Sequence, residues 1–267
     1  MTLPISAEIL LALTVPAAYG VMVAIETCGT GWRWPPRRRW QLVGMFCFAM
    51  LGVINAFVSS ALKPSLARWQ WMDGSQLGVI GGAALGYAVL SLGNAMLHRA
   101  YHRHDWLWRY VHQLHHAPTR LDVAGVMFQT PIEMAANAVL FVLVTVLMFG
   151  LDPLASMLCA CVATFYGMFQ HFNMHTPRWL GYFIQRPEAH CEHHRRGVHA
   201  GNYSDLPIWD MLWGTYHNPR TFTGELGFEP ATEQRVWAML AGHDVNGTAR
   251  RNDIAAGKVT HGRDRRT

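Results

Sequence analysis

One apolar stretch that ends in histidines decides the fold of this chain: QLGVIGGAALGYAVLSLGNAML, residues 76–97, leads directly into His98-Arg-Ala-Tyr-His102. The stretch carries no charged residue. It is long enough to cross a bilayer as one helix, which takes about 20 apolar residues. The histidines then follow where such a helix leaves the membrane. The pattern predicts a membrane helix that presents metal-binding side chains at one face of the bilayer.

Four further apolar runs have the length of a membrane helix, at residues 9–25, 40–62, 134–151 and 153–170. Only 15% of the residues are charged, against about 25% in soluble domains. This composition excludes an ordinary soluble protein and predicts an all-α, polytopic membrane protein with about four to five membrane helices. Gly150-Leu-Asp-Pro153 is typical of a tight turn, so we expect the last two helices to form a hairpin.

The loop between the first two runs indicates the orientation, because residues 32–40 contain four arginines. Basic loops stay on the cytoplasmic side. Counting crossings from this loop places the N-terminus outside and all the clustered histidines in a cytoplasmic, helical cap. The first run lacks a basic leader and a small-residue cleavage site, so we interpret it as a retained helix and not a signal peptide. We expect a multi-pass protein of a bacterial inner membrane, with its active site on the cytoplasmic side.

Ten histidines fall into four short clusters, two of which have the same HxxHH spacing. On a helix, residues three or four apart share a face, and neutral imidazole is the commonest metal-binding side chain. A lone histidine is more often a core or surface residue, but four such clusters supply enough nitrogen for two metal ions. The clustered residues are His98, His102, His112, His115, His116, His171, His175, His190, His193 and His194. His199 is close enough in sequence to the last cluster that it is a candidate to hydrogen-bond the metal-binding histidines.

Other features narrow the class of protein. The net charge of +5 comes from scattered basic residues, so it indicates contact with lipid headgroups and not with nucleic acid. The chain contains no GxGxxG, P-loop or HExxH motif. Its five cysteines show no CxxC spacing, and we expect reduced thiols. Cys191 lies inside the fourth cluster. We do not expect it to bind metal, because the three histidines of that cluster already supply its ligands.

The series HRxxH, HxxHH, QHxNxH and HxxHH resembles the fatty acid hydroxylase and sterol desaturase superfamily of membrane-embedded di-iron oxygenases. Downstream, residues 202–204 (NYS) and 209–215 (WDMLWGT) are similar to that family's N-Y-G and W-D-x-x-F-G-T. Asn94, four residues before His98, also fits. Ser204 and Trp213 depart from the usual glycine and phenylalanine. The resemblance covers about residues 76–220.

The resemblance implies that the ten clustered histidines bind two iron ions, with zinc as a possible substitute. It implies that Asn173 approaches the metal directly or through water, and that Asp210 and Asn202 fix ring nitrogens. Asp210 is equally well explained as a helix cap or turn residue. Asn173 and Asp210 are the candidate catalytic residues.

The resemblance also implies O2-dependent hydroxylation of an acyl chain or sterol-like membrane lipid. Electrons would come from an external ferredoxin-like or cytochrome b5-like reductase system, since no haem motif is present. Desaturation at the same site is the first alternative. A zinc-dependent membrane hydrolase or a metal transporter would be a different class of protein.

We expect four segments along the chain. Residues 1–75 form the N-terminal membrane helices and their loops, and residues 76–220 form the catalytic domain. A short C-terminal segment follows at 221–243, and residues 244–267 form a disordered basic tail.

Overall fold

The computed structural model describes residues 6–29, 31–198 and 200–247. In these residues every regular element is helical, and β-pairing is limited to one isolated bridge between Arg195 and Leu226. Five helices are long and apolar enough to cross a membrane: Ala7–Thr27, Trp40–Trp69, Gly74–Arg103, Pro131–Met148 and Pro153–His171. Each contains most of one of the five apolar runs, so the predicted all-α membrane fold is confirmed. His199 and residues 248–267 of the predicted tail lie outside the described residues.

The α-helices are numbered along the chain. The long ones are α1 (Ala7–Thr27), α2 (Trp40–Leu66), α3 (Gly78–Arg103), α7 (Pro131–Val142) and α8 (Pro153–His171). Short ones lie between and after them: α4 (Asp105–Leu107), α5 (Gln113–His116), α6 (Val123–Val126), α9 (Pro187–His193), α10 (Pro207–Trp213), α11 (Pro230–Glu233) and α12 (Val236–Leu240). A π-helix, Trp108–His112, leads into α5, and a second one, Leu143–Met148, extends α7. We call residues 104–130, 172–198 and 200–247 the cap.

The predicted turn between the last two membrane helices is present. Gly150 has a φ of 50°, and Asp152 begins α8 by accepting a hydrogen bond from the Leu154 amide at 2.8 Å. Beyond the turn the two helices take different partners, since α7 packs mainly on α2 and α8 packs mainly on α3 and α1. The resulting separation leaves space between the four helices α2, α3, α7 and α8.

One apolar core joins the N-terminal helices to the cap. It contains Tyr19 from α1 and Trp40 from α2, together with Trp108, Phe228 and Met239 from the cap. Burial of these large side chains contributes to stability in proportion to the apolar area removed from water. Residues from the expected segments 1–75, 76–220 and 221–243 therefore share a single core.

The arginine-containing loop lies at the same end of the bundle as the cap. Trp32 donates its indole N–H to the carbonyl of Phe222 at 3.1 Å, and Arg37 pairs with Glu233 at 2.9 Å. Trp40 donates to the Asp122 carboxylate at 2.8 Å. These contacts agree with the crossing count, in which the basic loop and the histidines share one side.

Candidate metal centre

Nine of the ten clustered histidines meet in two compact groups. In each group, one ring nitrogen from every histidine lies within 4.8 Å of the corresponding nitrogens of the others. The five-histidine group consists of His98, His102, His112, His116 and His193. The four-histidine group consists of His115, His171, His190 and His194. All nine side chains are buried except His98, which is partly buried.

Helical spacing explains how each HxxHH motif serves both groups. His112 and His116 are four residues apart and face the five-histidine group, while His115 faces the other. In the last cluster His193 joins the five-histidine group, and His190 and His194 join the four-histidine group. Two motifs shared in this way hold the groups side by side. The rings of His116 and His194 stack across the boundary with centroids 4.1 Å apart.

Hydrogen bonds to backbone carbonyls fix which nitrogen faces inward in three of these rings. The Nδ1 atom of His98 lies 2.7 Å from the carbonyl oxygen of Tyr203, and that of His193 lies 2.7 Å from the carbonyl oxygen of Gly201. His171 Nδ1 lies 2.9 Å from the Gly167 carbonyl. A carbonyl only accepts, so each of these Nδ1 atoms carries the proton and each Nε2 presents a lone pair.

The Nε2 atoms of neighbouring rings face one another, which is the arrangement that a metal ion requires. His98 Nε2 and His193 Nε2 are 3.0 Å apart, and His171 Nε2 lies 3.2 Å from both His115 Nε2 and His190 Nε2. Two nitrogens bound at right angles to one ion, with bonds of about 2.1 Å, are about 3 Å apart. Facing lone pairs repel unless a cation lies between them. The nine histidines therefore fit two transition-metal ions.

Burial disfavours the protonated form of the grouped imidazoles. Removal from water, followed by the effect of neighbouring imidazoles, holds the pKa well below its usual value in His115, His116, His190, His193 and His194. Neutral imidazole is the form that binds metal. Burial also raises the pKa of the Cys191 thiol well above its usual value. Cys191 is thus held as a thiol, and it lies outside both groups.

Glu133 supports the five-histidine group and was missed by the sequence analysis. Its Oε1 lies 2.8 Å from His112 Nδ1, and both side chains are buried. A carboxylate in this position fixes the ring and increases its basicity toward a metal. The signal was available, because Glu133 is the only charged residue in Pro131–Met148. An isolated carboxylate in a membrane helix indicates function.

Asp210 and Asn202 act on the histidines through the backbone. Asp210 accepts hydrogen bonds from the Ser204 amide at 2.9 Å and the Thr215 hydroxyl at 2.6 Å. The Asn202 amide N–H donates to the Thr215 carbonyl at 3.1 Å. Together they hold residues 201–203, whose carbonyls contact His193 and His98. Among the described residues, the side chain of Asp210 contacts no ring nitrogen. Asp210 therefore acts as a turn residue and does not fix an imidazole directly.

Asn173 and His175 do not reach the metal centre. The Asn173 side chain accepts from the Trp32 amide at 2.8 Å and donates to the Trp32 carbonyl at 3.0 Å. His175 is exposed and packs edge-on against the Trp32 ring, with centroids 4.3 Å apart. The reason is that α8 ends at His171 and Phe172 is extended, which turns the following residues toward the loop. The Asn173 side chain therefore makes a structural contact with Trp32, and not the expected approach to the metal. His175, which was also expected to bind metal, is absent from both groups.

A cavity of about 420 Å³ opens onto both groups. It is lined by His98 and His112 from the five-histidine group and by His115, His171 and His190 from the four-histidine group. Its remaining walls come mainly from the membrane helices α2, α3, α7 and α8. A molecule in the cavity would contact both candidate metal sites and would lie among helices that face lipid.

Comparison with known proteins agrees with this geometry. A family model for fatty acid hydroxylase matches residues 83–215. An ornithine lipid hydroxylase of Rhizobium tropici is 28% identical over 193 residues, which are 69% of this chain and 56% of the relative. A very-long-chain aldehyde decarbonylase of Oryza sativa, found in both the indica and japonica subspecies, is 26% identical over 136 residues, or 48% of this chain and 51% of the relative. The chain spans about half the length of these curated relatives. No solved structure matches it.

Proposed function

Since this chain belongs to the fatty acid hydroxylase family, we propose that it is a membrane-bound oxidoreductase that hydroxylates a C–H bond of a membrane lipid. The observation that carries the proposal is the single cavity that borders both histidine groups and is enclosed by membrane helices. A lipid in this cavity would lie between membrane helices. The ornithine lipid hydroxylase relative supports a lipid substrate, and the decarbonylase relative supports a long apolar one.

The nine grouped histidines would hold two metal ions, natively iron. When bound, this pair supplies the oxidation of an unactivated C–H bond by O2, which no amino-acid side chain achieves. One O2, two electrons and two protons convert the C–H group to an alcohol and yield one water. The two electrons come from an external donor, for which we propose a ferredoxin-like or cytochrome b5-like reductase system.

The chain itself contributes position and exclusion of water. Carbonyl oxygens and Glu133 hold the imidazole rings with their Nε2 atoms directed at the metal positions. The apolar side chains of Leu51, Leu90 and Phe141 line the cavity beside these rings. They keep bulk water away from the reacting carbon and provide contact area for a hydrocarbon chain.

Isotopically labelled O2 tests the activity. The metal-loaded protein is supplied with a competent reductant and a bacterial lipid extract, and the lipids are analysed by mass spectrometry. We expect a product that gains one labelled oxygen with wild type, and no product with His171→Ala. His175→Ala is the matched control and should retain activity. A product lighter by two hydrogens and free of label would show desaturation, and lipid hydrolysis by a zinc-loaded enzyme would exclude the oxygenase.

We also propose that the cap lies in the cytoplasm, because the loop with four arginines packs against it. Basic loops are retained on that side of a bacterial inner membrane. Reporter fusions after Arg39, Ser75 and Thr215 should report inside, outside and inside. An outside signal after Thr215 would contradict this orientation.

A further inference from the structure

The segment that carries α10 is hydrogen-bonded to α3 inside the apolar run of that helix. Asp205 accepts hydrogen bonds from the hydroxyl of Tyr87, at 2.6 Å, and from that of Ser91. Trp209 donates its indole N–H to Ser91 Oγ at 3.1 Å. Ser91 precedes His98, where the apolar run ends, by about 10 Å along the helix. The start of α10 therefore lies at a depth where α3 crosses the hydrocarbon core of the membrane.

The other end of α10 lies at the membrane boundary. The guanidinium of Arg99, which directly follows the apolar run and His98, lies over the ring of Trp213 at 4.9 Å from its centroid. Tryptophan is enriched at the membrane interface, and arginine near a helix end reaches the headgroups. The short helix α10 therefore runs beside the last turns of α3, from the hydrocarbon region to the headgroup region.

Besides these contacts with α3, the helix α10 exposes large apolar side chains. Leu212 is 69% exposed and Ile208 is 47% exposed. The two residues are four positions apart, so they share one face of the helix. A face of this kind, on a helix that lies at membrane depth, fits the hydrocarbon of the bilayer and not water.

A second short segment is joined to α10 and is also apolar at its surface. It consists of the 3-10 helix Arg178–Tyr182 and the residues that follow it. The Gln185 amide donates to the Asp205 carbonyl at 2.8 Å, and the Tyr216 hydroxyl donates to the Gly181 carbonyl at 2.6 Å. The exposed side chains of this segment include Trp179, Tyr182 and Phe183. Large aromatic side chains grouped at a surface indicate an interaction site, and tryptophan and tyrosine suit the membrane interface.

We infer that α10 and the segment around Arg178–Tyr182 are immersed in the leaflet on the cap side of the bilayer. The cap is then partly inserted in the membrane and not wholly a layer above it. The apolar surface is covered by lipid, because α10 is bonded to a membrane-crossing helix at a depth that no soluble protein reaches. This inference goes beyond the proposed enzymatic function and does not depend on it.

The polar groups of the immersed segment are compatible with this depth. A charged side chain within a membrane requires partners in the protein. The Asp205 carboxylate has three, namely the hydroxyls of Tyr87 and Ser91 and the backbone amide of Leu206. Asp205 also lines the cavity, as does Tyr203. The immersed segment is thus continuous with the cavity wall.

Contact quenching by brominated lipid tests the immersion. The full-length protein with Cys28→Ser, which removes the exposed native thiol, receives a bimane label at Leu212→Cys or at Phe183→Cys. Each labelled protein is placed in nanodiscs whose lipids carry bromine in the middle of the acyl chains. Bromine quenches the label on contact, whereas iodide added to the buffer quenches only labels that water reaches. Signal from the unsubstituted Cys28→Ser protein is subtracted.

Two reference positions calibrate the measurement. Phe57→Cys lies on the membrane helix α2, where Phe57 is 71% exposed, and it reports contact with lipid. Glu225→Cys lies in the cap, where the Glu225 side chain is 78% exposed, and it reports contact with water. We expect bromine to quench the labels at Leu212 and Phe183 at least about threefold more than the label at Glu225, with iodide giving the reverse order.

Thermal unfolding of each labelled protein in detergent is compared with that of wild type, and Ile208→Cys replaces Leu212→Cys if the latter is destabilised. Labels on α10 that are quenched by iodide as strongly as the label at Glu225, and not by bromine, would overturn the inference. The surface would then lie in water, where a soluble protein could cover it. Immersion at Leu212 without immersion at Phe183 would support the placement of α10 and overturn that of the segment around Arg178–Tyr182.

Discussion

The two histidine groups differ in how many protein ligands they offer and in how those ligands are held. The five-histidine group is supported by backbone carbonyls at residues 201 and 203 and by the carboxyl group of Glu133. The four-histidine group has one imidazole fewer. It is held by the Gly167 carbonyl and by the amide of Gln185, which lies 2.9 Å from His190 Nδ1. A metal ion in the four-histidine group would therefore have one protein ligand fewer and more room for a non-protein ligand.

Removal of one imidazole gives the largest expected effect. His115→Ala leaves three histidines in its group, whereas His102→Ala leaves four in the other. We expect His115→Ala to lose one of two bound metal ions and His102→Ala to retain a larger share of both. Activity should fall more than about 100-fold in each, because loss of a supporting residue alone costs about 10–100-fold.

Metal analysis of the purified variants checks this prediction, with His175→Ala and His243→Ala as controls that keep two ions. If His175→Ala loses an ion, the exposed histidine is a ligand after all. If His102→Ala and His115→Ala lose metal equally, the difference in ligand number has no consequence.

Removal of the supporting residues should have the next largest effect. Glu133→Gln keeps an acceptor for His112 but removes the carboxylate, and Gln185→Leu removes the polar partner of His190. We expect about 10–100-fold weaker metal binding for Glu133→Gln and a loss near the lower end of that range for Gln185→Leu. Competitive titration with a chelator of known affinity measures both. A larger loss for Gln185→Leu would reverse the proposed order of support.

Removal of metal from the wild-type protein should occur in two steps. The ion in the four-histidine group has fewer bonds to break, so it should leave several-fold faster when a chelator is in excess. The time course of metal release is measured for wild type and for Glu133→Gln. Glu133→Gln should accelerate the slow step alone. A single exponential in wild type would mean that the two groups hold their ions equally.

The smallest expected effect is the change in stability of the metal-free protein with pH. Burial holds the pKa of His190 and His193, among others, well below the usual 6.5. Below about pH 6.5 the unfolded chain therefore binds more protons than the folded protein, and stability is lost as the pH falls.

We expect the Tm of the metal-free protein to decrease by several degrees between pH 7.5 and pH 5.5. Thermal unfolding in detergent, followed by the fluorescence of the tryptophans, measures this change. His243→Ala, at an exposed histidine, should show the same dependence as wild type. A constant Tm over this range would contradict the burial of neutral imidazoles.

The sequence alone was sufficient for the membrane helices and for most of the histidine set. Apolar runs with few charged residues have one stable arrangement in a bilayer, since a helix satisfies its backbone hydrogen bonds internally. The spacing of four residues correctly indicated that His98 and His102, and likewise His112 and His116, face the same group. The tight turn at Gly150 followed from local backbone preference. Each of these features depends on residues that are close together in the sequence.

The tertiary structure decided the features that depend on distant residues. The division of the histidines into groups of five and four follows from how α3, α5, α8 and α9 converge. His175 and Asn173 leave the site because the chain is extended after His171 and meets the loop at Trp32. The carbonyl of Tyr203 holds His98 across 105 residues of sequence, which no local pattern reveals. The sequence determined which side chains are able to bind metal, and the packing of the helices determined which of them meet.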